Sequence, residues 1–217
     1  MRTPLRAVLF DLDGTLIDSI GLIVAAMHYA FEGFDGTVPA DSAWMAGIGT
    51  PLFKQLALYA RSPEELEILR ERYRAYQFLH HDNVIKEYPG TTAVLESLRA
   101  RGLAMGIVTS KGDELAKRGL ELTGLARFID VVIGADSVTK YKPEPEPVLL
   151  ALERLDVRVD EAVMIGDSPH DISSGNAAGV ATVGVLWGPF TRDQIAAARP
   201  THWLTNIRDL PALLDVV

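Results

Sequence analysis

The chain contains a series of short, β-branched apolar runs in which hydrophobic residues follow one another without polar alternation. They read AVLFD from Ala7, MGIVTS from Met105, VVIG from Val131, AVMIGDS from Ala162 and TVGVLWG from Thr182. A strand with one face in water alternates apolar and polar side chains. A run that does not alternate is buried on both faces, as strands of a parallel sheet are. Helix-like segments beginning at Thr91, Asp113, Pro145 and Pro169 separate these runs, and the first two end at Gly102 and Gly124, placed as helix stops. Strands alternating with helices predict an α/β fold built on a doubly wound parallel sheet. Such sheets bind ligands beyond the carboxyl ends of their strands. Asp11, Thr109 and Asp167 all fall at that edge.

One region breaks the alternation. From about Ile20 to Ile85 the patterns are helical and no strand is evident. In SPEELEILRERYRAYQFLHH, Ser62 is placed as N-cap, Pro63 at the first helical position and Glu65 for a capping box. Leu66, Leu69, Tyr73 and Tyr76 then recur on one face. Pro89-Gly90 marks the return to the α/β pattern. The expected organisation is a core of residues 1–16 and 87–217 with an all-helical cap domain, residues 17–86, inserted after the first strand.

The formal net charge of −8 argues against nonspecific nucleic-acid binding, and an anionic substrate then needs a local cation. The chain has no cysteine, which excludes disulfides and thiolate metal sites. The opening MRTPLRAVLFD places an aspartate where a signal peptide would continue its apolar core, and no apolar stretch approaches membrane-spanning length. A cytoplasmic protein, acting as a monomer without nucleic-acid or membrane partners, is the expectation.

The stretch VLFDLDGTLIDS, from Val8, puts two carboxylates at a strand end. Like charges so close, partly removed from water, need compensation. An exposed Asp-Gly turn is the simplest structural explanation of the pair. GDSPHD, from Gly166, adds Asp167 and Asp171 at a second strand end, where a helix N-terminus would also welcome acids. Carboxylates gathered from two strand ends, with neither thiolates nor paired histidines, suit a hard, oxygen-loving ion, and Mg²⁺ is the natural choice. VTSK, from Val108, brings hydroxyls to a third strand end, and KYKPEPEP, from Lys140, presents lysines in a proline-stiffened loop.

Taken together, DLDGTLIDS, VTSK, KPEPEP and GDSPHDISSGNAAG resemble the haloacid dehalogenase (HAD) superfamily, in particular its phosphatases with a helical cap inserted after the first strand of a Rossmann-like core. YRAYQFLHHDNVIKEYPG, LELTGL and ATVGVLWG further resemble its phosphoglycolate phosphatase and bacterial pyrophosphatase branch. The resemblance implies a hydrolase that acts on a small phosphorylated metabolite or pyrophosphate through an aspartyl phosphate. It implies Asp11 as nucleophile and Asp13 as general acid/base. Thr109, Ser110 and Lys142 would hold phosphoryl oxygens. Mg²⁺ would be bound by the Asp11 carboxylate, the Asp13 backbone carbonyl and Asp167, with Asp171 orienting the metal's water or adding a ligand. Ser110 stands where phosphoglycolate phosphatases often have Asn, and Ile23 where β-phosphoglucomutases carry a histidine.

Other readings give distinct expectations. A phosphomutase would deliver the phosphoryl group to a sugar instead of water. A receiver domain or a non-hydrolysing binding protein would keep it, but Asp13 and the helical region speak against a receiver. Gly47, Gly49 and Lys54 are candidates to face substrate, although a tight connection between helices explains the glycines equally well, whereas His80 and His81 are expected at a solvated helix end.

Overall fold

The computed structural model describes residues 4–217. Its strands are β1 (Ala7–Phe10), β2 (Ile17–Asp18), β3 (Lys86–Glu87), β4 (Ala104–Val108), β5 (Val131–Ile133), β6 (Ala162–Gly166), β7 (Ala181–Val185) and β8 (His202–Leu204). Six of them form one sheet in the order β5-β4-β1-β6-β7-β8, every pair parallel. β1 lies at the centre, with Leu9 beside Gly106 on one side and Met164 on the other. Both faces are covered, which is why the strands read as unbroken apolar runs. Val8 and Phe10 enter one core cluster with Ile107 and Ile165, while Ala7 and Leu9 enter another with Ile133 and Met164. Fully burying a side chain such as Phe10 contributes roughly 1.5–3 kcal/mol.

Helices α1 (Ile20–Phe31), α2 (Asp41–Ala46), α3 (Leu52–Leu56) and α4 (Pro63–Val84) occupy the region between β2 and β3. They pack around Trp44, Phe31, Met27 and Leu69 in a cluster of their own, which also takes in Ile172, Phe190 and Ile195. The remaining helices are α5 (Thr91–Ala100), α6 (Asp113–Leu122), α7 (Glu146–Leu155), α8 (Pro169–Ala178), α9 (Arg192–Ala196) and α10 (Leu210–Leu213). Gly102 and Gly124 have φ of 77° and 71°, the left-handed geometry expected of helix stops. No described helix is long and apolar enough to cross a membrane.

Three local readings of the sequence need correction. Only half of the expected capping box forms at α4: the Glu65 N–H donates to Ser62 Oγ at 3.2 Å, but the Glu65 carboxylate turns to Arg61. Arg61 offers it a backbone N–H and a guanidinium, a stronger set of donors than a backbone N–H alone. The buried stripe of α4 runs Leu69, Tyr73, Gln77 and His81, so it carries polar side chains, with Leu66 and Tyr76 only half-buried. His81 is therefore not solvated: it packs beneath Gly119 with its Nδ1 3.1 Å from Asp82, and burial lowers its pKa. β2 and β3 pair antiparallel, Ile17 with Glu87 and Asp18 with Lys86, at the neck where the helical region leaves and rejoins the sheet.

Candidate active site

The ends of β1, β4 and β6 bring the acids and hydroxyls together. Asp11 follows β1 directly, and its N–H donates to Ile165 O at 2.9 Å, so the ladder fixes the backbone up to the carboxylate. Thr109 follows β4 in the same way, its N–H donating to Ile133 O at 2.9 Å. Asp167 follows β6, and Asp171 sits in the first turn of α8. There Ser168 Oγ accepts the Asp171 N–H while the Asp171 carboxylate accepts Ser168 N–H at 3.0 Å and its hydroxyl at 2.7 Å. The helix-capping explanation for Asp171 thus holds, but Asp171 has a second task.

Lys142 Nζ donates to Asp171 Oδ1 at 2.5 Å, to Asp11 Oδ1 at 2.8 Å and to Val108 O at 3.0 Å. All three ammonium protons are used, on a side chain that is 1% exposed. The loop bearing it is clamped on both sides. The Glu146 carboxylate accepts the N–H groups of Thr139 and Lys140, and Ser174 of α8 donates to Glu144 O at 2.7 Å. The prolines alone did not indicate these anchors.

Carboxylate oxygens of Asp11, Asp167 and Asp171 lie within 4.8 Å of one another, all buried. Burial first, then the charge of Asp171, raises the Asp11 pKa to about 7, against the pull of Lys142. Burial also pushes Asp167 well up, followed by the charges of Asp171 and Asp11. Burial opposes the Lys142 charge, yet Asp11 and Asp171 outweigh it and raise its pKa. One ammonium thus faces three buried carboxylates, and the excess negative charge calls for a cation.

The remaining lone pairs point the same way. Asp167 Oδ1 accepts the Thr15 hydroxyl at 2.7 Å, but Oδ2 is buried without a partner. Room around that carboxylate is reserved by glycine. A Cβ on Gly14, whose φ is 89°, would stand 2.6 Å from Asp167 Oδ2, and one on Gly188 would fall on the Asp167 side chain. Oxygen donors only, tightly gathered, with one buried acceptor unused, fit a hard metal ion.

Asp13 stands outside this cluster. Its carboxylate takes Lys111 Nζ at 2.7 and 2.9 Å and the Ser19 hydroxyl at 2.5 Å. Lys111 is part of VTSK, but its partnership with Asp13 was not foreseen, because it depends on β1 and β4 being neighbours. Ser110 differs from expectation too: its hydroxyl donates to Gly49 O at 2.5 Å, tying the sheet edge to the helical region. Gly49 itself approaches Ser168 and His170 with a φ of 97°. Lys54 lies over the Tyr141 ring, 4.9 Å from its centroid, and neither Lys54 nor Gly47 lines the cavity described next.

A cavity of about 220 Å³ opens above the strand ends. Asp11, Asp13, Thr109, Ser110 and Lys111 form its floor. Arg70, Tyr73, Arg74 and Gln77 of α4, with the loop from Ile48 to Phe53, form the facing wall. Its size suits a small metabolite and is below the usual range for drug-sized ligands.

A doubly wound parallel sheet whose central strands end in a metal-suited carboxylate cluster, under a helical wall, defines an α/β enzyme working at the sheet edge. More particularly, residues 8–185 match the pattern of haloacid dehalogenase-like hydrolases, and the chain belongs to that family. It is 37% identical over 213 residues to a protein named pyrophosphatase PpaX from Bacillus pumilus, covering 98% of each chain. It is likewise 37% identical to PpaX of Bacillus velezensis over 205 residues, 94% of each. The crystal structure of a hydrolase from Pseudomonas syringae superposes with a TM-score of 0.84 at 29% identity, covering 98% of this chain and 99% of that one.

Proposed function

We propose that the protein is a Mg²⁺-dependent phosphatase that hydrolyses a small phosphorylated metabolite or pyrophosphate through an aspartyl phosphate on Asp11. The observation that carries this reading is the Asp11 carboxylate itself. It is buried at a strand end, held by Lys142 beside Asp167 and Asp171, and open to a cavity that a small phosphate ester can enter. Pyrophosphate is the substrate in the name of the Bacillus relatives. We further take residues 17–86 as a cap over a core of 1–16 and 87–217, with the described helices α1 to α4 as that cap.

Asp11, Asp167 and the Asp13 backbone carbonyl would hold the metal, with Asp171 beside them. Bound there, Mg²⁺ supplies positive charge that lets a phosphate dianion approach an acidic site. An Asp11 oxygen attacks phosphorus and the bond to the leaving oxygen breaks, giving the acyl phosphate. Asp13 gives its proton to that oxygen, then takes one from the water that attacks the acyl phosphate and releases inorganic phosphate. Position supports this division of labour. Asp11 lies among the charges that neutralise a phosphoryl group, while Asp13 is tethered apart by Lys111 and Ser19. Thr109 holds phosphoryl oxygens, and Lys142 exchanges part of its contact with Asp11 and Asp171 for the same oxygens. Ser110 contributes by fixing the helical wall to the sheet edge, its hydroxyl being engaged by the Gly49 carbonyl.

Ile23, which lines the cavity, brings no proton-transfer group, and no feature of the site favours a mutase. The test is a phosphate-release screen over pyrophosphate, phosphoglycolate, sugar phosphates and nucleotides, with Mg²⁺ and with EDTA. Metal-dependent release that disappears in Asp11→Asn is expected. Release that survives either treatment rejects the assignment.

A further inference from the structure

α4 presents a row of polar side chains to the cavity. Arg70, Tyr73, Arg74 and Gln77 are spaced three and four residues apart, so they share one helix face. Two arginines at i and i+4 bring two positive charges to one stretch of the wall, and Glu67 pairs with Arg70 alone. Arg70 reaches Glu67 through one terminal nitrogen at 2.5 Å, but its Nε is buried with no hydrogen-bond partner. Arg74 has no ion-pair or hydrogen-bond partner among the described residues. Arg74 is exposed, so its guanidinium is free to turn to an anion at the cavity mouth.

Gln77 adds an independent sign. It is 2% exposed, and its Oε1 is buried without a partner while its Nε2 donates to Tyr73 OH at 3.3 Å. A tyrosine hydroxyl donates as readily as it accepts. With the amide turned over, Tyr73 serves Oε1 and the NH₂ group faces the cavity as a donor. The acids that line the cavity belong to its other walls. Asp11 and Asp13 lie in the floor, Glu114 belongs to α6, and Asp136, in the turn after β5, already accepts the Asp113 N–H at 2.9 Å.

We infer that Arg70, Arg74 and Gln77 form a second anion subsite, which selects substrates carrying a negatively charged group beyond the phosphoryl group that reacts. This rests on the phosphatase reading and sharpens it: a phosphate or carboxylate on the distal end is held by the helical wall while the reacting phosphoryl group lies over Asp11. A guanidinium suits such a group because its planar donors can grip two oxygens at once.

The test compares inorganic pyrophosphate and phosphoglycolate, each with a second anionic group, against p-nitrophenyl phosphate, whose remainder is neutral. In Arg70→Gln and Arg74→Gln, KM for the two charged substrates should rise by about tenfold or more, the effect of losing a charge-assisted hydrogen bond. The preference for them over p-nitrophenyl phosphate, as a ratio of kcat/KM, should fall in proportion. Arg74→Lys should recover part of the loss. A larger effect on pyrophosphate supports the subsite and identifies its ligand as phosphate; a larger effect on phosphoglycolate supports it and identifies carboxylate. Equal losses on all three substrates, or none, overturn the subsite. Calorimetric titration of the Asp11→Asn protein with pyrophosphate and Mg²⁺ measures the same contact without turnover. Adding Arg74→Gln should weaken binding about tenfold, and unchanged binding overturns the proposal. If the wild-type protein releases phosphate from none of the three, the phosphatase reading fails, while the titration still decides the subsite.

Discussion

Without its metal, the protein should lose stability as the pH rises from 5 to 7, and Asp11 supplies the reason. The residue is 6% exposed, and the pKa of its carboxyl group climbs from the ordinary 3.8 to about 7, through burial first and the neighbouring Asp171 charge second. Between those two values the folded protein binds the proton more tightly than the unfolded chain does. Stability therefore falls as pH rises through the window and levels off above about 7. At ~1.4 kcal/mol for each pH unit, the full cost is roughly 4 kcal/mol, of which about 2–3 kcal/mol falls between pH 5 and 7. Asp167, also raised by burial, adds to it with the same sign. His81 and His170 act oppositely: burial lowers both from 6.5, so each contributes stability as pH rises toward that value. Comparison with Asp11→Asn cancels the histidines.

The assay is urea unfolding in EDTA at pH 5, 6 and 7 for both proteins, followed by thermal melts with and without Mg²⁺. Wild type should lose about 2–3 kcal/mol more than Asp11→Asn across that range. Because a divalent ion binds the ionised cluster and not the unfolded chain, Mg²⁺ should raise the melting temperature more at pH 7 than at pH 5. Parallel pH profiles for the two proteins, or a Mg²⁺ effect independent of pH, would refute the electrostatic account of the cluster.

Three further outcomes are expected. Asp13→Asn should leave metal binding, measured by calorimetry, nearly intact while slowing phosphate release by about 10²-fold or more, the usual size of general acid/base catalysis. Lys142→Met removes the partner of two buried carboxylates and should cost about 3–5 kcal/mol of stability by urea unfolding. Gly188→Ala puts a methyl group on the Asp167 side chain and should weaken Mg²⁺ activation severalfold or more without a matching change in KM at saturating metal.

How much could be read in advance differed between sheet and wall for physical reasons. The parallel core strands announced themselves because burial on both faces removes polar alternation, and their ends carried Asp11, Thr109 and Asp167. β8, at the sheet edge with His202 and Trp203 only half-buried, carries no such signal. Lys111 could be seen as a lysine, but not as the partner of Asp13, since that contact joins positions 98 residues apart. Gln77 and His81 hid within a helix read for its apolar residues; only packing shows that the buried stripe continues through them. The family resemblance implied Ser110 as a phosphate contact, but the Gly49 carbonyl already holds its hydroxyl.

The two-stranded ribbon at Ile17–Asp18 and Lys86–Glu87 has an architectural consequence. Because the polypeptide departs and returns through adjacent, hydrogen-bonded positions, the helices between them join the sheet through a single doorway. The sheet's register is set by β1 pairing with β4 and β6, outside that doorway, while the helices also rest on Ile172, Phe190 and Ile195 of the core. A changed helical wall would therefore have to keep its footing on those three side chains while it reshapes the space above the sheet edge.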